Sequence, residues 1–309
     1  MRHRSSNGRA SPLLWLVAGL ATVLALQPAP GDARPRTPPG VSDLLSRKQA
    51  ILEAIEESPF EQPIHVESEE AEDAARGHVY AVVDEPFGHL VNRLKTPSDW
   101  CEIMFLHLNV KACVHAAAGL TIYTGRKHYQ RPEDAERIDL GFRIDALEDD
   151  SLAIELGAER GPYGTQDFDL QLRAVPLDRD RSLLHLRYSA GYGSVARLAM
   201  GVYFAFGGRD RIGFTVERLD EEGKPVYVRG VRGMVERNAV RFYLALQACL
   251  EVLETERLEA RLARWFDLTE RHPEQLRELD KATYLENKRR ERDNQEELQR
   301  GSAQRSSSD

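Results

Sequence analysis

The chain has 309 residues, of which 41% are hydrophobic and 30% charged, and its formal net charge is −8. That length holds one large domain with extensions or two small domains, and the composition is that of a soluble globular protein with a highly charged portion. The acidic balance provides no global positive field to attract phosphates, which excludes general nucleic-acid binding.

Arg2, Arg4 and Arg9 precede an apolar run, LLWLVAGLATVLAL (13–26), and the small residues of QPAPGDARP follow it. This is the layout of a secretory signal peptide over residues 1–33, cut after Ala33. The run is shorter than the ~20 apolar residues of a spanning helix. Export to the periplasm as a soluble protein is expected, with an inner-membrane anchor facing the periplasm as the alternative. Removing three Arg and one Asp takes the mature charge to −10.

Residues 34–76 read as a proline-rich linker (RPRTPPGVSD, 34–43), a short helix (44–57) and an acidic loop (ESEEAEDAARG, 67–77). Regular structure is predicted from HVYAVVDEPF (78–87), a strand broken at Pro86. The helically spaced Leu90, Val91 and Leu94 come next, then a second short helix around DWCEI capped by Thr96 or Ser98 beside Pro97. Six strands with period-two patterning follow, at 106–115, 120–130, 138–146, 152–159, 168–174 and 184–189. One apolar and one charged face imply a sheet wet on one side. An apolar helix (194–208), a hairpin turning at Glu221-Glu222-Gly223 and a long helix (233–254) follow. The apolar stripe of that last helix includes Val235, Ala239, Phe242 and Leu246. Beyond it lie a charged helical extension (255–298), with Leu258, Leu262, Trp265, Phe266 and Leu268 as its apolar stripe, and a disordered tail (299–309).

This order, and above all HVYAVVDEPFGHLVNRLKTPSDWCEI, resembles the START-like (helix-grip, Bet v 1-like and polyketide-cyclase-like) superfamily over about residues 77–254. The expected fold class is α+β: a curved antiparallel seven-stranded sheet gripping a long C-terminal helix, with an inserted helix-hairpin (194–230) and extra C-terminal helices. The resemblance implies a cavity between sheet and helix that takes a lipid, sterol or other apolar ligand. It implies no catalytic residue, because members that are enzymes share no catalytic set.

The strand 120–130 breaks the alternation. If Leu120 and Ile122 face the cavity, Arg126 and His128 follow them inward; if Tyr123 and Tyr129 do, Lys127 lies between them. Either way a polar group sits among apolar neighbours and could hold the head of an amphiphile; a strand leaving the sheet edge into water is the alternative. Tyr123, Arg126, Lys127, His128 and Tyr129 are therefore cavity candidates, with Phe142, Phe168, Tyr188 and Phe242 as apolar lining. Arg229, Arg232 and Arg237 flank the start of the long helix, where free N–H groups and partial positive charge favour an anionic head group or a membrane surface. Arg–Glu pairing is the plainer role for them. Cys101, Cys113 and Cys249 allow three single pairings, and Cys101–Cys113 would join a helix end to the next strand; three small buried hydrophobes is the other reading. No spacing suggests a metal or a cofactor. Asp84, Glu85 and His89 could form an acid–base pair or cap a helix.

The expected function is binding of a hydrophobic or amphiphilic small molecule, without nucleic acid, in a chain leaning away from catalysis. The alternatives are a cyclase- or hydratase-type enzyme using the same cavity, and an envelope interaction protein docking an unspecified protein partner on helices 256–298.

Overall fold

The computed structural model describes residues 41–60, 62–148, 150–193, 211–252 and 258–306. The signal segment 1–33 and the apolar helix 194–208 lie outside the described residues. Two helices, α1 (Val41–Ser46) and α2 (Lys48–Glu56), come first. The hairpin β1 (Ile64–Glu70) and β2 (Ala74–Val83) leads into α3 (Phe87–Asn92) and α4 (Pro97–Leu106). An antiparallel run follows: β3 (Val110–Ala116), β4 (Gly119–Thr124), β5 (Glu136–Glu148), β6 (Ser151–Arg160), β7 (Gln166–Pro176) and β8 (Ser182–Gly191). A small hairpin, β9 (Val216–Leu219) and β10 (Pro225–Tyr227), precedes α5 (Gly230–Glu251). The chain then forms α6 (Leu258–Thr269), α7 (Pro273–Leu276) and α8 (Lys281–Ser306).

The main sheet is antiparallel with order β1-β2-β8-β7-β6-β5-β4-β3. It has eight strands, not the seven expected. The extra strand, β1, falls inside the stretch 34–76 expected as linker, and it takes up part of the supposed acidic loop. The acidic letters hid a period of two: Ile64 and Val66 are buried on the inner face while His65 and Glu67 point out.

Helix α4 begins at Thr96, whose side chain and Asp99 form a reciprocal capping box with Pro97 in the first turn. It runs through Leu106, so the strand expected from 106 starts only at Val110. The disulfide Cys101–Cys113, with Cα atoms 5.3 Å apart, ties α4 to β3. Cys249 is free and buried, and burial pushes its thiol up to about 12.

Helix α5 lies across the inner face of β1, β2 and β8. Its approach depends on Gly77, where a Cβ atom would stand 2.6 Å from the Val235 carbonyl oxygen. Helix α4 covers β3 and β4. Between these supports the inner residues of β6 and β7, among them Ile154, Leu156, Leu170 and Leu172, are buried in one core with Val235, Phe242 and Leu246 of α5. The outer face is not wholly wet. Leu44, Ile51 and Ile55 of α1 and α2 pack on Tyr80, Val175 and Leu183.

The C-terminal helix corrects a second expectation. Residues 299–306, expected as disordered tail, continue α8. This helix covers the free edge of β3 with side chains spaced seven and four residues apart, on one face of the helix. Lys288 donates to the Val110 carbonyl, and Gln295 accepts from the Cys113 amide at 2.8 Å. Gln299 accepts from the His115 amide and donates to its carbonyl, at 2.9 and 3.1 Å. An open edge strand invites pairing with another chain, and α8 occupies that edge.

Candidate ligand-binding site

Aromatic side chains form a row through the interior. Phe168 of β7 meets Tyr188 of β8 edge-on, with centroids 5.6 Å apart. Tyr188 stacks on Phe242 of α5 at 6.0 Å, and Phe242 stacks on His107 at 4.7 Å. Phe142 and Ile144 of β5 and Met234 of α5 are only half-buried against the same core. Three of the expected apolar lining residues thus come together, with Phe142 on the same inner face.

His107 closes the row. It sits at the C-cap of α4, fully buried, and its Nδ1 accepts the Asn109 amide at 3.2 Å. That bond assigns the proton of the neutral ring to Nε2, which has no partner among the described residues. Burial pushes its pKa well down, and the neighbouring cations Arg241, Lys288, Lys111 and Lys127 add to the effect.

Beside it lies a cationic cluster. Glu278, between α7 and α8, accepts from Arg211, from Arg241 at 3.1 Å and from Lys127 at 2.5 Å. Burial opposes the ionisation of Glu278, yet the Arg211 hydrogen bond, Arg241 and Lys127 hold its carboxyl at about 2. Arg241 is buried and donates to the Leu276 carbonyl, while its Nε finds no acceptor. A second buried group stands nearby, where Lys111 and Lys288 share Glu291 at 2.8 and 2.9 Å.

The five candidates of the irregular stretch separate. Strand β4 ends at Thr124, so the stretch expected as strand to 130 leaves the sheet and its alternation carries no cavity-facing meaning beyond that point. Arg126 and His128 are exposed. Tyr123 lines a shallow surface cleft of about 490 Å³ with Pro132, Asn294 and Leu298. Tyr129 accepts from Asn294 and lies under the Arg290 guanidinium. Only Lys127 joins the buried cluster. Of the three arginines expected near the start of α5, Arg232 and Arg237 make contacts within the protein. Arg232 bonds Ser68 and pairs with Glu217, and Arg237 donates to the Ile212 carbonyl. The carboxylate near the start of α5 is the protein's own: buried Glu236 accepts from the amides of Phe214 and Thr215 and from the hydroxyls of Ser68 and Thr215.

Glu85 and His89 do pair, at 2.8 Å, but His89 is 57% exposed. Helix α3 has no side-chain cap, so neither Asp84 nor Glu85 serves as one. Among the described residues no group of three His, Cys, Asp or Glu is placed to hold a metal ion, and no helix is long and apolar enough to cross a membrane. Sequence reasoning missed His107, Arg211, Arg241 and Glu278. A signal existed for one of them: Arg241 interrupts the apolar residues of α5 four positions after Arg237.

Strand, two short helices, an antiparallel run and a long helix laid across the sheet are now all in place. The fold is START-like. No family model matches the chain, and no curated protein matches it. Among solved structures it is similar to a START superfamily protein from Mycobacterium smegmatis, 14% identical over 41% of this chain and 88% of that one, with a TM-score of 0.30. It is similar to human StAR-related lipid transfer protein 5, 10% identical over 69% of this chain and 98% of that one, at 0.32. A third is the lipid transfer and protein localization domain of human StarD13, 11% identical over 53% and 88%, at 0.27. The START-like description rests on the order and packing of the elements, not on these overlays.

Proposed function

We propose that this chain is an exported carrier of an apolar or amphiphilic small molecule, held between the inner face of the sheet and α5. The observation that carries the reading is the aromatic row ending at His107, a buried polar donor without a partner among the described residues. Such an orphan costs roughly 1–3 kcal/mol unless something accepts from it. An apolar site with a few placed polar groups is the usual form of a small-molecule pocket. Half-buried Phe142, Ile144 and Met234 supply apolar surface on the same side. The basic-then-apolar layout of residues 1–33 and the Cys101–Cys113 disulfide support an oxidising, extracytoplasmic location.

The partner-docking reading loses its main support, because the stripe it needs on α6 is occupied within the domain. Leu262, Trp265, Phe266 and Leu268 are buried, and Trp265 stacks on Tyr284 of α8. Titration of the purified chain with the fluorescent apolar probe N-phenyl-1-naphthylamine tests the carrier reading. Saturable uptake near one molecule per chain is expected. Absence of uptake by protein stripped of endogenous lipid contradicts it.

A further inference from the structure

The outer face of the sheet carries a second set of titratable rings, on the side away from α5. His65 of β1, Tyr80 of β2 and His185 of β8 stand in register across three neighbouring strands. Tyr80 stacks on His185 at 4.3 Å and on His65 at 6.2 Å, and His78 of β2 stacks on His185 at 5.2 Å. His78 Nδ1 and His185 Nε2 are 2.9 Å apart and share a hydrogen bond. That bond needs a proton on one nitrogen and a lone pair on the other, so it is lost when both rings are protonated.

The cover over this stack is the N-terminal strap formed by α1 and α2. Leu44, Ile51 and Ile55 of the strap pack on Tyr80, Val175 and Leu183. Arg47, between the two helices, donates to the Tyr80 hydroxyl at 3.1 Å, and its guanidinium lies 5.5 Å from the ring centre. Tyr80 and His185 are only 2% and 8% exposed. Several charges surround the pair. Glu67 and Glu69 of β1 favour a proton on His78, whereas Arg187 of β8 and Arg47 of the strap oppose it. Arg173 of β7 and Arg187 oppose one on His185. Arg76 of β2 pairs with Glu69 at 3.1 Å, and His65 lies 3.8 Å from Glu67. Burial outweighs the carboxylates, so both rings are held neutral, His78 with a pKa of about 4.

We propose that the His78–His185 pair is an acid-sensitive latch for the strap: protons on the two rings place charge beneath Tyr80, break the bond between them and release residues 41–57 from the outer face while the rest of the domain stays folded. The latch is independent of the carrier reading. Once the strap is off, the rings are hydrated and titrate near the ordinary 6.5. Docking is therefore at full strength above pH 6.5 and weakens as pH falls towards 4. For His78 alone, docking at pH 4.5 is weaker by up to about 70-fold. Release bares the apolar patch of Tyr80, Val175 and Leu183 that the strap hides.

Hydrogen exchange followed by mass spectrometry on the full chain at pH 7 and pH 4.5, with labelling times scaled for the intrinsic effect of pH, tests the latch. At pH 4.5 the amides of α1 and α2 should lose protection by a factor of this order, β5 to β7 and α5 should keep theirs, and neutralisation should restore the strap. His78→Phe/His185→Phe keeps two stacked rings that cannot titrate, and its strap should stay protected at pH 4.5. His78→Gln, at the more exposed of the two rings, should move release to lower pH and serves if the double variant does not fold. Equal protection of the strap at the two pH values overturns the latch. Loss of protection across strap, sheet and α5 together overturns it in favour of global acid unfolding. Release of the strap at an unchanged pH in these variants removes the histidine pair as its cause and overturns it too.

Discussion

Gly77 shows how one residue sets the grip of helix on sheet. A methyl group there would meet the Val235 carbonyl oxygen at 2.6 Å and the carbonyl carbon at 2.7 Å, both backbone atoms of α5. Gly77→Ala should therefore force the helix off β2 at a cost of about 1–3 kcal/mol. The readout is a lower denaturant midpoint with an unchanged slope. The histidines set the response to acid. Burial holds His78 and His272 at about 4 and pushes His185 and His107 well below the usual 6.5. Their folded pKa values are depressed, so their contribution is present above pH 6.5 and is lost as pH falls towards 4. Glu67 and Glu278, both at about 2 against an ordinary 4.5, lose theirs as pH falls from about 4.5 towards 2. Thermal midpoints should fall already between pH 6.5 and 4; a midpoint constant across that window would count against burial of these rings. At this scale the sequence named Lys127 as one of five candidates on a strand pattern that ends at Thr124, so the pattern did not itself place this side chain. It could not expose Glu278 or Arg211, whose meaning comes from chain segments 84 to 151 positions away from Lys127.

Helix α8 has almost no apolar stripe, and its charged letters read as extension and tail. What fixes it is polar: Gln295 and Gln299 on the β3 backbone, the Tyr284 hydroxyl on the Leu106 carbonyl at 2.8 Å, and Lys288 with Glu291 buried. Hydrophobic periodicity carries no record of such contacts. Gln295→Ala should leave the buried Cys113 amide unpaired at roughly 1–3 kcal/mol. Together with Gln299→Ala it should open the β3 edge and raise self-association, measured by sedimentation velocity. A monomeric double variant of unchanged stability would show that α8 is not what protects the edge. The disulfide constrains the same region. It closes a loop over a sequence separation of 12, and the Cys101→Ala/Cys113→Ala chain should lose about 2–4 kcal/mol of unfolding free energy. The elements with plain alternation, β5 to β8, were legible because apolar residues alternate with polar or charged ones along each. β1 was not, since its outward glutamates dominate a short strand.

Across the molecule, two kinds of surface meet inside one fold. A sheet and helix enclose apolar side chains, and the C-terminal segment brings Glu278 to one end, where it pairs with Lys127, Arg211 and Arg241. The helix-grip plan was legible in the order of elements. The location of its charged end was not, because Arg211, Arg241 and Glu278 come from three separate segments outside the irregular stretch that first drew attention. The most direct measurement is mass spectrometry of an organic extract of the full chain, purified gently from its native compartment. A stoichiometric apolar or amphiphilic small molecule is expected. A chain that yields no apolar molecule, and takes up none when lipid is supplied, would contradict the carrier reading at its root.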